Sequence, residues 1–486
     1  MIEAWDSAQV YAAEEALMAT LPEGALMARA VEGLVAVTLA RIEELDPEGD
    51  GAPRVVGLIG TGNNGADALY ALADLAEAGI AAGAVTTDRI HEGAHSAALE
   101  AGVLLAAGAD AAGVIGEADI VLDGVLGIGG RPEVPEFARE WVEAIPAEAY
   151  VIAVDLPTGA DPAGRSGDRA GVFADETVTF SVLKPVHLLP ATQARCGRLT
   201  VVDIGLEIES PPAAASLTRG DVASLWPVPG PTDDKYSRGV LGVIAGSEDF
   251  PGAGVLTVTA AVSAGVGMVR YVASQRPSDL VLAAVPEAVH GVERVQAWVI
   301  GSGLAADLAR LGEEQRAAIE TALAGEAPVL IDAGGLDLLA SLDPGMRRGL
   351  PTLLTPHAGE CARLLGVARS EVETDPVGHA RALAERTGAT VLLKGAVTVV
   401  VPPPGRGDPV MAQSDAPSWL ATAGAGDVLA GVVGALLAAG LPPLSAAALG
   451  ALVHGVAAQD ANPGGPVRAL AVAHAIPGTI ARLLRG

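Results

Sequence analysis

What most constrains this chain is an alternation along it: short, largely apolar runs alternate with helical stretches, several of them through glycine-bearing turns. Residues 54–60, 118–123, 150–155, 176–182 and 199–204 read as buried strands, after an Ala-rich helical pattern over 7–45. Strand, turn and helix repeated at this length imply a parallel sheet covered on both faces. Near Leu206 the pattern lapses into a stretch rich in Pro, Ser and charge, with room for one short helix, and then a second α/β series begins with strands at 240–245, 295–301, 328–332 and 351–355. The expected organisation is therefore a domain over 1–207, a linker over 208–232 and a second domain over 233–486. At 486 residues, two cores are expected rather than one. Hydrophobic residues are 50% of the chain and aromatics 3%, so Ala, Val, Leu and Gly must fill those cores in closely packed layers.

The formal charge of −29 argues against nucleic acid and anionic membrane as partners. Cys196 and Cys361 stand far apart without metal-type spacing, which fits a reducing cytoplasm. The N-terminal residues lack the basic start and apolar run of a signal peptide, and the apolar stretch 428–440 is too short to span a bilayer. A phosphate-bearing ligand stays compatible with the charge, because helix N-termini and backbone amides bind anions locally.

In the first half, VVGLIGTGNNGADALYALADLAEAG is a strand, a glycine turn and a helix, the layout that offers backbone N–H groups to a phosphate or ribose. Of the three Asn in the chain, Asn63 and Asn64 are adjacent at the mouth of this turn. Asp67 falls in the following helix, where complementing the helix dipole is its plainest role. Asp123 and Asp155 each end a strand beside a glycine-containing loop, at the sheet edge where parallel sheets bind ligands, although each is also a natural turn former. Amide, carboxylate and a hydroxyl such as Thr158 are hard oxygen donors that suit a hard cation.

In the second half, SWLATAGAGDVLAGVVGALLAAG is a glycine-rich loop ending in Asp427 and opening into a long apolar helix. Amides of residues 424–426 at that helix start suit a transferred phosphoryl group, with Asp427 as base; the plainer role is a helix cap. LLTPHAGE places His357 after a strand, and VLLKGAVTVV places Lys394 on a turn between two strand-like runs. Of 30 basic residues, Lys184, Lys235 and Lys394 are the lysines, so lysine marks places that need a compact point charge.

The ordered runs GNNGAD, DGVLGIGGR, DLPTG, TVTFSVLKP and LTVVDIGL resemble the NAD(P)H-hydrate epimerase family over nearly all of 1–207. The resemblance implies that Asn63, Asn64, Gly65, Ala66, Asp67, Gly127, Ile128, Gly129, Gly130, Arg131, Pro132, Glu133 and Asp155 contact a hydrated nicotinamide nucleotide. It also implies that Asn64, Asp123 and Thr158 hold a potassium ion. Ala66 and Ala68 stand where that family usually has Gly, and Thr158 where Ser is commoner. Residues 233–486 resemble the ADP-dependent NAD(P)H-hydrate dehydratase family through SRGVLGVIAGSEDFPGAG, IGSGLA, LIDAGGLD, TPHAGE, LKGAVT and AGAGDVLAG. Here Ala253, Gly303, His357 and Asp427 would contact the hydrate, and Lys394, Gly395, Ala396, Val397, Thr398 and Gly426 the adenine nucleotide. Gly334 replaces an acidic residue of that family, and Ala305 a glycine.

The implied architecture is α/β throughout: an N-terminal Rossmann-like doubly wound sheet and a C-terminal ribokinase-like α/β domain. The implied activity is repair of NADHX and NADPHX, epimerised by the first half and dehydrated by the second with ADP as co-substrate and magnesium beside it. Asp123 or Lys184 is expected to handle the epimerase proton, and by analogy the chain is expected to form a homo-oligomer. Two rivals remain: a small-molecule kinase in the second half, and a non-catalytic binding module in the first.

Overall fold

In the computed structural model, which describes all residues except 47–50, 52, 305–307, 309 and 310, the alternation resolves into two sheets. The chain divides into two compact units, Glu3–Ala214 and Ala215–Gly486, the latter joined by Met1–Ile2.

The first unit carries seven parallel strands in the spatial order Leu104–Ala106, Ala81–Thr86, Arg54–Ile59, Ile120–Gly124, Tyr150–Val154, Glu176–Phe180 and Arg198–Val202. Numbered along the chain this is 3-2-1-4-5-6-7, a doubly wound order that reverses between Arg54–Ile59 and Ile120–Gly124. In the central strand Val55 and Ile59 enter the core under helices Ala25–Leu45 and Asn63–Glu77, whereas Val56 and Leu58 enter the core against Trp141 and Ile115 on the opposite face. That is period-two alternation with both faces apolar, which is why the strand reads as a continuous hydrophobic run. The expected helical pattern over 7–45 is two helices, Ser7–Met18 and Ala25–Leu45. Pro22 and Gly24 separate them, Gly24 taking the left-handed φ of 78° that ends helical continuity.

In the second unit nine strands between residues 240 and 413 run in the order Val410–Gln413, Thr398–Val401, Thr390–Leu393, Thr352–Leu354, Val329–Ile331, Ala297–Ile300, Val240–Ile244, Met268–Val272 and Val289–His290. All neighbours pair in parallel except the two pairs formed by Thr398–Val401, which are antiparallel. The order reverses between Val240–Ile244 and Ala297–Ile300. Helices Pro251–Ser263, Ala425–Ala438, Pro443–Ala461 and Ala469–Leu483 pack an almost wholly aliphatic core. Ala215, Leu217, Val222 and Trp226, within or beside the short helix Val222–Leu225, belong to that same core. Among the described residues no helix is long and apolar enough to cross a membrane.

Candidate functional site

Each sheet reverses its order where two loops diverge from its C-terminal edge, and each reversal carries a cluster of the residues singled out above. In the first unit a cavity of about 960 Å³ opens there, lined by Asn63, Asn64, Asp67, Gly127, Ile128, Gly129, Gly130, Asp155 and Lys184, with Tyr11 and Glu14 from helix Ser7–Met18. Gly65 is required beneath it: a Cβ on Gly65 would stand 2.2 Å from the Gly60 carbonyl oxygen. The Asn64 side-chain amide donates to the carbonyls of Leu126 and Val154, at 3.1 and 2.6 Å, and so ties the helix start to both neighbouring loops. Ala66 and Ala68 turn their methyls into the core instead of the cavity. Arg131, Pro132 and Glu133 continue the loop beyond the lining residues.

Asp123 is fully buried and does not line the cavity. Its two oxygens accept from the backbone N–H and the hydroxyl of Thr158, both at 2.7 Å. Burial raises its pKa, and those bonds to Thr158 oppose the rise. Asp155 follows strand Tyr150–Val154 with φ 69°, a left-handed backbone that costs a non-glycine residue roughly 1–3 kcal/mol and is held here by its bonds. Lys184 Nζ donates to Asp155 Oδ1 at 2.5 Å and to the Thr179 hydroxyl at 2.9 Å, and that hydroxyl donates to the same Asp155 oxygen. Burial alone would raise the Asp155 pKa, but the Lys184 ammonium outweighs it and holds the carboxyl below its ordinary value. Behind the pair, His187 Nδ1 accepts the Lys184 N–H, so Nε2 carries the proton and donates to the Asp155 carbonyl at 2.8 Å. Burial and the Lys184 charge push the His187 pKa down to about 4.

In the second unit helix Ala425–Ala438 begins at Gly424, whose φ of 88° turns the loop into the helix; the Ala425 N–H donates to the Thr422 carbonyl at 3.3 Å, and the Gly426 and Asp427 N–H groups follow in the first turn, where no intrahelical acceptor precedes them. Asp427 lies in its first turn; burial pushes its pKa up to about 6, with Ser302 pulling downward and Asp332 upward. Lys394 sits at the hairpin turn between Thr390–Leu393 and Thr398–Val401, as its sequence context predicts. Its Nζ donates to Asp332 Oδ1 at 2.7 Å and lies 3.8 Å from Glu360 Oε2. Burial would lower the Lys394 pKa, but Asp332 and Glu360 raise it above the ordinary value. Gly426 keeps this cluster tight, since a Cβ there would lie 3.4 Å from Lys394 Nζ. Ala253 opens helix Pro251–Ser263, and Gly303, at φ 73°, packs against Gly246 and Phe250 just before it. Gly395, Ala396 and Val397 complete the hairpin turn up to Thr398.

His357 caps helix Ala358–Leu365: its Nδ1 accepts the N–H groups of Gly359 and Glu360 at 3.0 and 3.2 Å. Its structural role is thus visible, and its ring remains half-exposed beside Lys394, the two backbones forming a bridge. Gly334, where the resemblance implies an acidic residue, has no room for a side chain in this backbone, because a Cβ would stand 2.3 Å from the Leu304 carbonyl oxygen. Ala305 lies outside the described residues. Sequence reasoning passed over Asp332, Glu360 and Glu14. Asp332 follows strand Val329–Ile331 as Asp155 follows its own strand, so the rule that selected Asp123 and Asp155 would have selected it too.

A family profile described as NAD(P)H-hydrate dehydratase matches residues 241–476, and one described as YjeF-related protein N-terminus matches residues 23–186. A bifunctional NAD(P)H-hydrate repair enzyme of Mycobacterium tuberculosis is 46% identical over 448 residues, covering 90% of each chain. The chain belongs to the bifunctional NAD(P)H-hydrate repair enzymes. The relative from Escherichia coli is 33% identical, over 83% of this chain and 79% of that one. A Bacillus subtilis ADP/ATP-dependent NAD(P)H-hydrate dehydratase, co-crystallised with ATP and Mg2+, is similar at 25% identity and a TM-score of 0.48, covering 57% of this chain and all of that one.

Proposed function

We propose that the first unit interconverts the R and S forms of hydrated NADH and NADPH at ring carbon C6, and that the second dehydrates the S form at the expense of ADP. The cluster at the start of helix Ala425–Ala438 supports the second step most directly. Asp427, largely deprotonated above pH 6, takes the proton of the C6 hydroxyl as its oxygen attacks the β-phosphorus of ADP. The amides at residues 424–426 face the charge that grows on the transferred group, and Lys394, held by Asp332 and Glu360, provides a fixed positive charge beside it. AMP leaves, phosphate then departs from C6 with a proton from C5, and the dihydropyridine returns. Ala253, Gly303 and His357 would line the hydrate side of this site, and Lys394 to Thr398 with Gly426 the nucleotide side.

Among the described residues no three His, Cys, Asp or Glu converge as a metal cage. A magnesium ion would arrive on the ADP phosphates, with Asp332 or Asp427 reaching it, and would neutralise phosphate charge. In the first unit Asn64, Asp123 and Thr158 offer an amide, one carboxylate and a hydroxyl around loops that Asn64 itself joins, and Asp123 and Thr158 touch. One formal charge among oxygen donors suits potassium, which would order these loops around the hydrate. The kinase reading predicts a stable phosphorylated product.

The test gives the purified protein an R/S mixture of NADHX with ADP, ATP or no nucleotide and follows the near-ultraviolet absorbance of NADH. Full recovery with ADP by the wild type and none by Asp427→Ala is the expected result. Recovery that stops at the S fraction would remove the epimerase reading, and a stable phosphorylated hydrate would install the kinase reading.

A further inference from the structure

Asp67 is 6% exposed, lines the first cavity, and its Oδ1 has no hydrogen-bond partner. A buried carboxylate oxygen without a donor is costly, and the cost is relieved when the group holds a proton or a ligand meets it. Around it stand Asp155 with Lys184 from the strand edge, Glu14 and Tyr11 from helix Ser7–Met18, and Tyr70 and His91 farther along the wall. The two residues expected to handle the proton are otherwise engaged: Asp123 is bonded through both oxygens to Thr158, and Lys184 is bonded to Asp155 and Thr179.

We propose that Asp67 is the proton-carrying catalytic residue of the epimerase site, moving one proton between the C6 hydroxyl and the ring nitrogen as the ring opens and recloses. The inference rests on the epimerase reading above. C6 of the hydrate bears both a hydroxyl and ring nitrogen N1, so it is a hemiaminal carbon. The carboxyl donates its proton to N1 while its second oxygen takes the hydroxyl proton. The N1–C6 bond breaks with its electron pair going to N1, and C6 becomes an aldehyde carbon. Rotation about C5–C6 and the reverse transfers close the ring on the other face, leaving Asp67 as it began and consuming nothing. Such a group must be neutral, and burial, with Asp155 and Glu14 adding repulsion, pushes the Asp67 pKa up to about 8.

The experiment supplies the full-length protein with R-NADHX and ADP, so that NADH forms only after epimerisation, and with S-NADHX and ADP to count working dehydratase. Asp67→Asn is expected to lower the R-dependent kcat by roughly 10²–10⁴-fold with KM little changed. Wild-type R-dependent turnover is expected to fall as pH rises through about 8, and in isotopically heavy water the epimerised hydroxyl is expected to keep its original oxygen. An Asp67→Asn protein with wild-type kcat, a loss confined to KM, or oxygen taken from water would overturn the assignment. Should Asp67→Asn fail to fold, a wild-type profile flat through that pH overturns it alone. A wild type that converts R-NADHX no faster than buffer instead defeats the epimerase reading itself.

Discussion

Both clusters lie at the C-terminal edges of their sheets, the first at the point where strand order reverses and the second spread from that point to Lys394 beyond strand Thr390–Leu393, yet they are furnished oppositely. At the first edge a lysine is consumed inside the wall by Asp155, the cavity is bordered by Glu14 and Asp67, and one carboxyl is left without a partner. At the second edge the lysine is the partly buried end of its network, backed by Asp332 and Glu360, and a helix start brings further positive potential. The first arrangement raises a carboxyl's hold on its proton and the second gathers positive charge for phosphate. The fold supplies the address, and the pairing of a few carboxylates with two lysines decides the chemistry.

That contrast can be broken most sharply at Asp427. Asp427→Ala is expected to abolish ADP-dependent NADH formation, a loss of roughly 10²–10⁴-fold, while R/S exchange of the hydrate, followed chromatographically, continues. If exchange stops as well, the two sites are not separate in function. Next comes the structural floor of each edge. Gly301→Ala would place a Cβ 1.8 Å from the Asp332 carbonyl oxygen and Gly65→Ala one 2.2 Å from that of Gly60, so each is expected to lose several kcal/mol of stability in denaturant titration. Equal losses would show that the close approach at the reversal is as strict in one sheet as in the other.

The lysines should separate in kind. Lys394→Met leaves Asp332 and Glu360 without their cation, and breaking such a buried pair costs about 3–5 kcal/mol; the ADP KM should rise with it. The pH limbs should run in opposite directions. Dehydratase turnover is expected to fall as pH drops through about 6, where Asp427 gains a proton, and epimerase turnover to fall as pH climbs through about 8, where Asp67 loses one. Because folded Asp67 keeps its proton to higher pH than the unfolded chain does, its contribution to stability is lost as pH rises toward about 8, and Asp67→Asn should be the more stable protein at alkaline pH. The smallest effect expected is at Ala66: with its methyl in the core, Ala66→Gly should cost about 1 kcal/mol and leave epimerisation unchanged.

The order of strands and helices was legible because each central strand is apolar on both faces, and the hairpin around Lys394 was legible because two strand-like apolar runs flank a Lys-Gly turn. The break at Pro22 and Gly24 was hidden by the apolar periodicity that continues on either side of it. In the first site the sequence marked Asn64, Asp123 and Asp155 but not their separate fates. Whether a carboxylate ends against a lysine, a hydroxyl or nothing depends on contacts such as Lys184 with Asp155, 29 residues apart. Glu14 was invisible for the same reason, since it reaches the cavity from a helix far upstream of the glycine turn.

The capping bonds of His357 have a consequence for recognition. With Nδ1 occupied by two backbone N–H groups, the ring carries its hydrogen on Nε2, which lies 3.6 Å from Glu360 Oε1 at the edge of the Lys394 cluster. Such a ring favours an oxygen acceptor on whatever settles beside Lys394, and its nitrogen-15 resonances would report that bias before any turnover is measured.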